Sequence, residues 1–183
     1  GYSVSLSSDG SVVAIGADNN NGNGSGSGHV RIYQNVSGTW TQIGDDIDGE
    51  AASDASGTSV SLSSDGSVVA IGARGNGSGS GHVRIYQNVS GTWTQIGDDI
   101  DGEVASDASG TSVSLSSDGS IVAIGAPSND GNGNNSGHTR VFTIDLNPTL
   151  SSSTPSDDAT AVAVDSNIIL DFSEAVDVET GNF

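Results

Sequence analysis

Apolar and polar residues alternate in short runs along most of the chain, and no segment carries the 3.6-residue apolar period of a helix. Val60 and Leu62 alternate with Ser59, Ser61 and Ser63, which predicts a half-buried strand, and Asp65-Gly66 then predicts a tight hairpin turn. The run VVAIGA at Val68 to Ala73 is apolar on both faces, which predicts a strand covered from both sides. After a Gly/Ser loop, HVRIYQN at His82 to Asn88 and TWTQIG at Thr92 to Gly97 predict a third and a fourth strand around a Ser90-Gly91 turn.

This pattern recurs. SVSLSSDGS stands at Ser3 to Ser11, at Ser59 to Ser67 and at Ser112 to Ser120. From Gly22 to Gly57 and from Gly75 to Gly110 the first two copies differ only at Ala51 against Val104. A tandem four-stranded unit of about 53 residues predicts a β-propeller blade, because helical repeats need a 3.6 period and β-solenoid coils are shorter. The expected fold class is therefore all-β: a partial β-propeller of four-stranded antiparallel blades over residues 1–145, with units starting near 1, 57 and 110. The acidic segment GDDIDGEVASDASG links one unit to the next. The third unit ends after His138 to Thr143 and passes into Asp145-Leu146-Asn147-Pro148 with no counterpart of TWTQIG. Since propellers have a usual minimum of ~4 blades, upstream repeats of the same chain are expected to close the ring.

Composition narrows the function. Four Arg and no Lys against 23 acidic residues give a formal charge of -19, which repels phosphate backbones and anionic membrane surfaces. Nucleic acid is thereby set aside as a partner, and no apolar run approaches the ~18 residues of a membrane span. With no Cys there is no disulfide framework and no thiolate site. With no Met in the chain, Gly1 is expected to be an internal position, with a signal peptide, if any, further upstream.

His29, His82 and His138 occupy one repeat position, with Arg31, Arg84 and Arg140 two residues on and on the same side of the predicted strand. A catalytic residue is needed once, so threefold copying assigns these to structure, each Arg pairing with an Asp of the adjacent link and holding blade to blade. The links themselves, Asp45, Asp46, Asp48 and Glu50 and then Asp98, Asp99, Asp101 and Glu103, place alternate carboxylates in Gly-containing loops. That pattern suits a hard cation such as Ca²⁺; the alternative is a solvated acidic turn. The Gly/Asn loops at Asp18 to Gly24 and Asn129 to Asn135 are expected to be flexible spacers. Trp40 and Trp93 suit either a sugar-stacking platform or a cover over the apolar edge of their own blade.

The motif G-[YT]-S-V-S-L-S-S-D-G-S-[VI]-V-A-I-G-A, followed by G-H-[VT]-R-[IV], resembles the FG-GAP repeats of integrin α-type propellers and of bacterial surface or secreted proteins. Gly125-Ala126-Pro127 keeps the GAP element, whereas Gly1-Tyr2, Gly57-Thr58 and Gly110-Thr111 lack the Phe of FG. The family's Asp/Asn-rich calcium loop is replaced here by a short Ser-Ser-Asp-Gly turn. Beyond residue 146, Ser153-Thr154-Pro155, Val162 to Val164 and Ile168 to Phe172 resemble the first strands of a bacterial Ig-like sandwich, a fold of ~100 residues that is cut off at Phe183. The resemblance implies a non-catalytic extracellular or cell-surface adhesion scaffold with a protein or glycan ligand, part of a large modular protein. The alternatives are the propeller portion of a secreted polysaccharide-active enzyme and a purely structural filament or fibre repeat.

Overall fold

The computed structural model describes residues 1–146 and two strands beyond them, Leu150–Thr154 and Ile169–Phe172. The chain divides into two compact units, Gly1–Asp145 and Leu146–Phe183. In the second unit the two strands pair antiparallel, with an irregularity between Leu150 and Ser152. The expected Val162 to Val164 strand lies outside the described residues.

The first unit is three consecutive antiparallel sheets. In the first, β1 (Ser3–Leu6), β2 (Val12–Ala17), β3 (His29–Val36) and β4 (Thr39–Gln42) lie in chain order, and β5 (Ile47–Asp48) also pairs with β3. The second contains β6 (Ser56–Leu62), β7 (Val68–Ala73), β8 (His82–Val89) and β9 (Thr92–Asp101), again in order. The third is β10 (Ser112–Leu115), β11 (Ile121–Ala126) and β12 (His138–Thr143), without a fourth strand among the described residues. Register is conserved from blade to blade: Ser3 faces Gly16, Ser59 faces Gly72 and Ser112 faces Gly125. A tight turn with Gly77, Ser78 and Gly79 at positive φ, Asn76–Gly79, sits in the second blade's Gly/Ser loop.

The blades pack face to face. The trailing face of blade one, built from Val12, Ala14, Val30 and Ile32, meets Val60, Leu62, Val69 and Ile71 on the leading face of blade two. VVAIGA is buried at every position in blade two, as its two-sided apolar pattern predicts, whereas burial alternates along its counterparts in blades one and three. The serines that alternate with Val60 and Leu62 depart from the half-exposed expectation. Ser59 and Ser63 are buried, because their row faces the next blade rather than water. Ser3 Oγ donates to the Gly57 carbonyl at 2.8 Å, and Ser59 Oγ repeats this to Gly110 at 2.7 Å. Hydroxyls thus satisfy the backbone groups of the next blade's innermost strand, which would otherwise be orphaned on burial.

The Asp-Gly hairpin is tight, but it is a five-residue connection, Ser63 to Ser67. Gly66 donates to the Ser63 carbonyl at 3.0 Å and adopts φ 74, a left-handed conformation open to glycine at little cost. It lies directly over blade one, where a Cβ would stand 2.8 Å from Val12 Cβ.

Candidate functional site

The candidate chemistry gathers at the junctions between blades. His29, His82 and His138 open β3, β8 and β12, and strand alternation carries Arg31, Arg84 and Arg140 to the same side. The acidic links reach that side partly as strand, which corrects the looped expectation at Asp48, Asp98, Asp99 and Asp101, while Asp45, Asp46, Glu50 and Glu103 lie outside the strands. β9 runs from Thr92 to Asp101 with a register shift opposite Val83 and Ile85, so that Gly97, Asp98 and Asp99 bulge between Ile96 and Ile100; Asp101 stands opposite His82, and Asp48 of β5 opposite His29. The cause is cross-strand pairing: Ile47 and Ile100 are drawn into the sheet opposite Val30 and Val83. Asp45 and Asp98 are consequently left exposed and apart from the imidazoles.

His82 Nδ1 lies 3.4 Å from Asp99 in its own blade and 3.9 Å from Glu50 of the preceding link. Arg84 joins the same group, with Nη1 3.8 Å from Glu50 and Nη2 donating to the Asp48 carbonyl at 2.7 Å. The next junction repeats half of this: His138 Nδ1 is 2.9 Å from Glu103, and Arg140 donates to the Asp101 carbonyl. In blade one, His29 Nδ1 is 3.4 Å from Asp46, the same contact that His82 makes with Asp99. Arg31 clamps Asp46 through Nε at 2.9 Å and Nη2 at 2.8 Å. The expected Arg–Asp pairing between blades is therefore corrected in detail. Arg31 pairs within its blade, while Arg84 and Arg140 cross the junction to Glu50 or to backbone carbonyls.

Burial holds the His82 imidazole below its ordinary pKa, opposed by Asp99 and Glu50 and assisted by Arg84. Its Nε2 and the Nε of Arg84 are buried without a hydrogen-bond partner. Donor atoms of Glu50, His82 and Asp99 all lie within 4.8 Å of one another, the single convergent set of three among the described residues. The other link carboxylates are dispersed or engaged. Asp46 is held by Arg31 and accepts from Gln42 at 2.8 Å, and Glu103 is held by His138 and accepts from Asn129 at 3.3 Å. Asp48, Asp101, Asp45 and Asp98 are exposed. The convergent set mixes one imidazole nitrogen with two carboxylates.

Asp54 and Asp107 were not singled out by spacing, yet both are buried. Asp54 accepts the Ala51 amide at 2.7 Å, and Asp107 accepts the Val104 amide at 3.1 Å and Asn129 Nδ2 at 2.9 Å. The signal was available in the repeated ASDASG, where one Asp returns in both copies amid small residues. The Gly/Asn loops are also more than spacers, for Asn23 Nδ2 donates to the carbonyls of Gly49 at 2.8 Å and Glu50 at 3.1 Å. They clamp the acidic links. Beside the second link an open cleft of about 740 Å³ is lined by Glu103, Asp107, Asn129, Asp130 and His138.

Trp93 packs against the core shared by blades one and two and donates Nε1 across the junction to the Ile43 carbonyl at 3.0 Å. Trp40 stands at the same repeat position of blade one and is exposed.

Residues 100–142 match the family model described as FG-GAP repeat, and residues 145–182 match that of a bacterial Ig-like domain. The chain thus carries an FG-GAP repeat in the propeller-type unit followed by an Ig-like segment, an arrangement that fits a modular surface protein. Among solved structures, the chain is similar to TolB from Acinetobacter baumannii at 16% identity and a TM-score of 0.40, over 77% of this chain and 32% of that one. The chain therefore spans about a third of that relative's length. No curated protein matches it. Among the described residues no helix is long and apolar enough to cross a membrane.

Proposed function

We propose that this chain is a non-catalytic binding scaffold within an extracellular or cell-surface modular protein, its ligand a protein or glycan surface. The observation that supports the reading best is the engagement of the chemically capable residues. Each His of the first unit sits beside a link carboxylate, and each Arg of that repeat position bonds a link carboxylate or carbonyl. An active site needs one asymmetric constellation, whereas these groups recur from blade to blade and tie neighbouring elements together. The formal charge of -19 favours ligands that are neutral or carry positive charge. Further units of the same repeat would complete the propeller. Cation binding belongs to the same proposal and falls at Glu50, His82 and Asp99.

The test sets binding against turnover. The purified chain is incubated with a panel of polysaccharides and esters, and applied in parallel to a glycan array. Saturable binding without product release is the expected result. Hydrolysis abolished by His82→Gln, but not by His29→Gln or His138→Gln, would overturn the scaffold reading in favour of a secreted polysaccharide-active enzyme.

A further inference from the structure

A hollow of about 280 Å³ opens at the junction of blades one and two, between the Gly44–Asp48 segment of the first link and Tyr86, Thr92 and Trp93 of β8 and β9. Both blades have four strands, so each wall of the hollow is intact. Its two rings are held in place. The Arg84 guanidinium stands 5.5 Å from the centroid of Tyr86, and Trp93 is tied by Nε1 to the Ile43 carbonyl at 3.0 Å.

The polar groups around these rings are free. Asp45 is exposed, and its carboxylate meets no donor or cation among the described residues; the exposed Thr92 hydroxyl likewise has no partner there. Tyr86 is only 8% exposed, yet its hydroxyl donates to no acceptor among the described residues, although groups so buried are ordinarily bonded. Packing does not require that hydroxyl, for Tyr86 stands opposite Val69 where Phe142 stands opposite Val122 in blade three. The hollow therefore sets a carboxylate that only accepts, and two hydroxyls that both donate and accept, around an indole. A guanidinium or ammonium group only donates and would leave the Tyr86 proton without an acceptor, whereas a sugar hydroxyl does both. The volume lies just below the ~300–1,000 Å³ of sites for drug-sized ligands, which suits one sugar ring rather than a chain of them. Asp45, Asp46 and Asp48 line it and no Lys or Arg does, so acidic sugars are repelled.

We propose that this hollow binds one neutral pyranose residue of a glycan, an inference that rests on the scaffold reading and names the class of its ligand. Trp93 stacks against the apolar C–H face of the ring, Asp45 accepts from a neighbouring pair of hydroxyls, and the Tyr86 hydroxyl donates to a further sugar oxygen. Affinity for a single sugar is modest, because so small a ligand buries little surface, and tight attachment comes from several repeats engaging one glycan.

Trp40→Phe leaves Trp93 as the sole tryptophan, so that its emission reports the hollow. The full chain with that change is titrated with the methyl glycosides of glucose, galactose, mannose and N-acetylglucosamine, with glucuronate, and with methylguanidinium, all at constant ionic strength. A saturable change in emission with at least one neutral glycoside, in the millimolar range, and none with glucuronate or methylguanidinium is the expected result. Asp45→Asn weakens binding about tenfold and Tyr86→Phe several-fold, while both variants keep the parent's melting temperature. No saturable response to any neutral glycoside, or equal binding by both variants and the parent, would overturn the proposal. A response to methylguanidinium alone would overturn it in favour of a basic side chain of a protein partner. Binding to a glycan array that survives both substitutions would place the glycan elsewhere and leave the scaffold reading standing, whereas turnover of a bound glycan would overturn that reading and not the site.

Discussion

The amide of Leu62 donates to the hydroxyl of Ser5 at 3.0 Å, and that bond joins the innermost strand of blade two to the blade before it. Leu115 repeats it with Ser61. A serine hydroxyl is short enough to reach the neighbouring backbone without opening a gap between blades. Ser61→Ala leaves a junction amide without its acceptor, and such a loss costs about 1–3 kcal/mol. Urea unfolding of Ser5→Ala and Ser61→Ala is expected to show this decrease, whereas Ser114→Ala leaves the midpoint in place. Equal midpoints for all three would show that the serine row does not tie the blades.

Glycine in VAIGA sets how closely the blades approach. A Cβ on Gly72 would stand 2.0 Å from the Gly110 carbonyl oxygen, whereas on Gly125 the nearest atom is the Ser112 hydroxyl of its own blade. Backbone cannot swing aside as a hydroxyl can. Gly72→Ala is expected to cost at least the ~1–3 kcal/mol of an overpacked core, and Gly125→Ala less. Thermal melts of the two variants make the comparison directly.

Much of this architecture was legible because the repeat is nearly exact. SVSLSSDGS and VVAIGA set strand number, order and register, and the same residues recur at the same pairing positions in all three sheets. What misled was the neighbour across the junction. A period of two makes the serines look solvent-facing, and only the next blade shows Ser59 to be buried. The link residues read as loop from their Asp and Gly content, yet Ile100 opposite Val83 pulls the segment into β9. For the same reason the Trp93 contact with Ile43 of the preceding blade is not legible in the pattern of its own blade. Local pattern reports an element's faces, but not which blade each face meets.

Acid should destabilise the first unit in two steps. The unfolded chain's His titrates near the ordinary 6.5, and burial holds His82 lower in the folded chain, so between those values the unfolded state binds more protons. Stability is therefore full above about pH 6.5 and is lost as pH falls through that window. The second step lies lower. Hydrogen bonds from the Ser11 amide and the Ser7 hydroxyl hold Asp9 at about 2, and those from the Ser116 hydroxyl and the Ser120 amide hold Asp118 at about 2. Their contribution is present above the unfolded value of 3.8 and is lost toward pH 2. Melting temperature against pH should show both declines, and His82→Gln should flatten the first while sparing the second.

Glu50, His82 and Asp99 provide a direct test of cation binding. One imidazole and two carboxylates suit Zn²⁺ better than Ca²⁺, whose usual site has six to eight oxygens. Zn²⁺ titrated at constant ionic strength is expected to raise the melting temperature by mass action, and Ca²⁺ to raise it less. Glu50→Gln removes one ligand charge at an exposed carboxylate and should abolish most of the Zn²⁺ shift. Removing the ion with a chelator should restore the starting value. A shift unchanged in Glu50→Gln would place the ion elsewhere, and no shift beyond that of matched NaCl would leave only screening.

The two tryptophans occupy one repeat position in opposite circumstances, which makes them reporters of the junction. Trp93 is half-buried against blade one and donates to Ile43, while Trp40 is 46% exposed. Trp93→Ala should cost about 2–3 kcal/mol, below the range for a fully buried Trp because part of the ring already meets water, and it also leaves the Ile43 carbonyl without this donor. Trp40→Ala should stay within about 0.5 kcal/mol. In single-Trp variants, Trp93 emission should be the bluer and should shift red on unfolding, whereas Trp40 emission should already lie near its unfolded position. Acrylamide should quench Trp40 the more strongly. Equal quenching of both would mean that Trp93 does not seat on blade one.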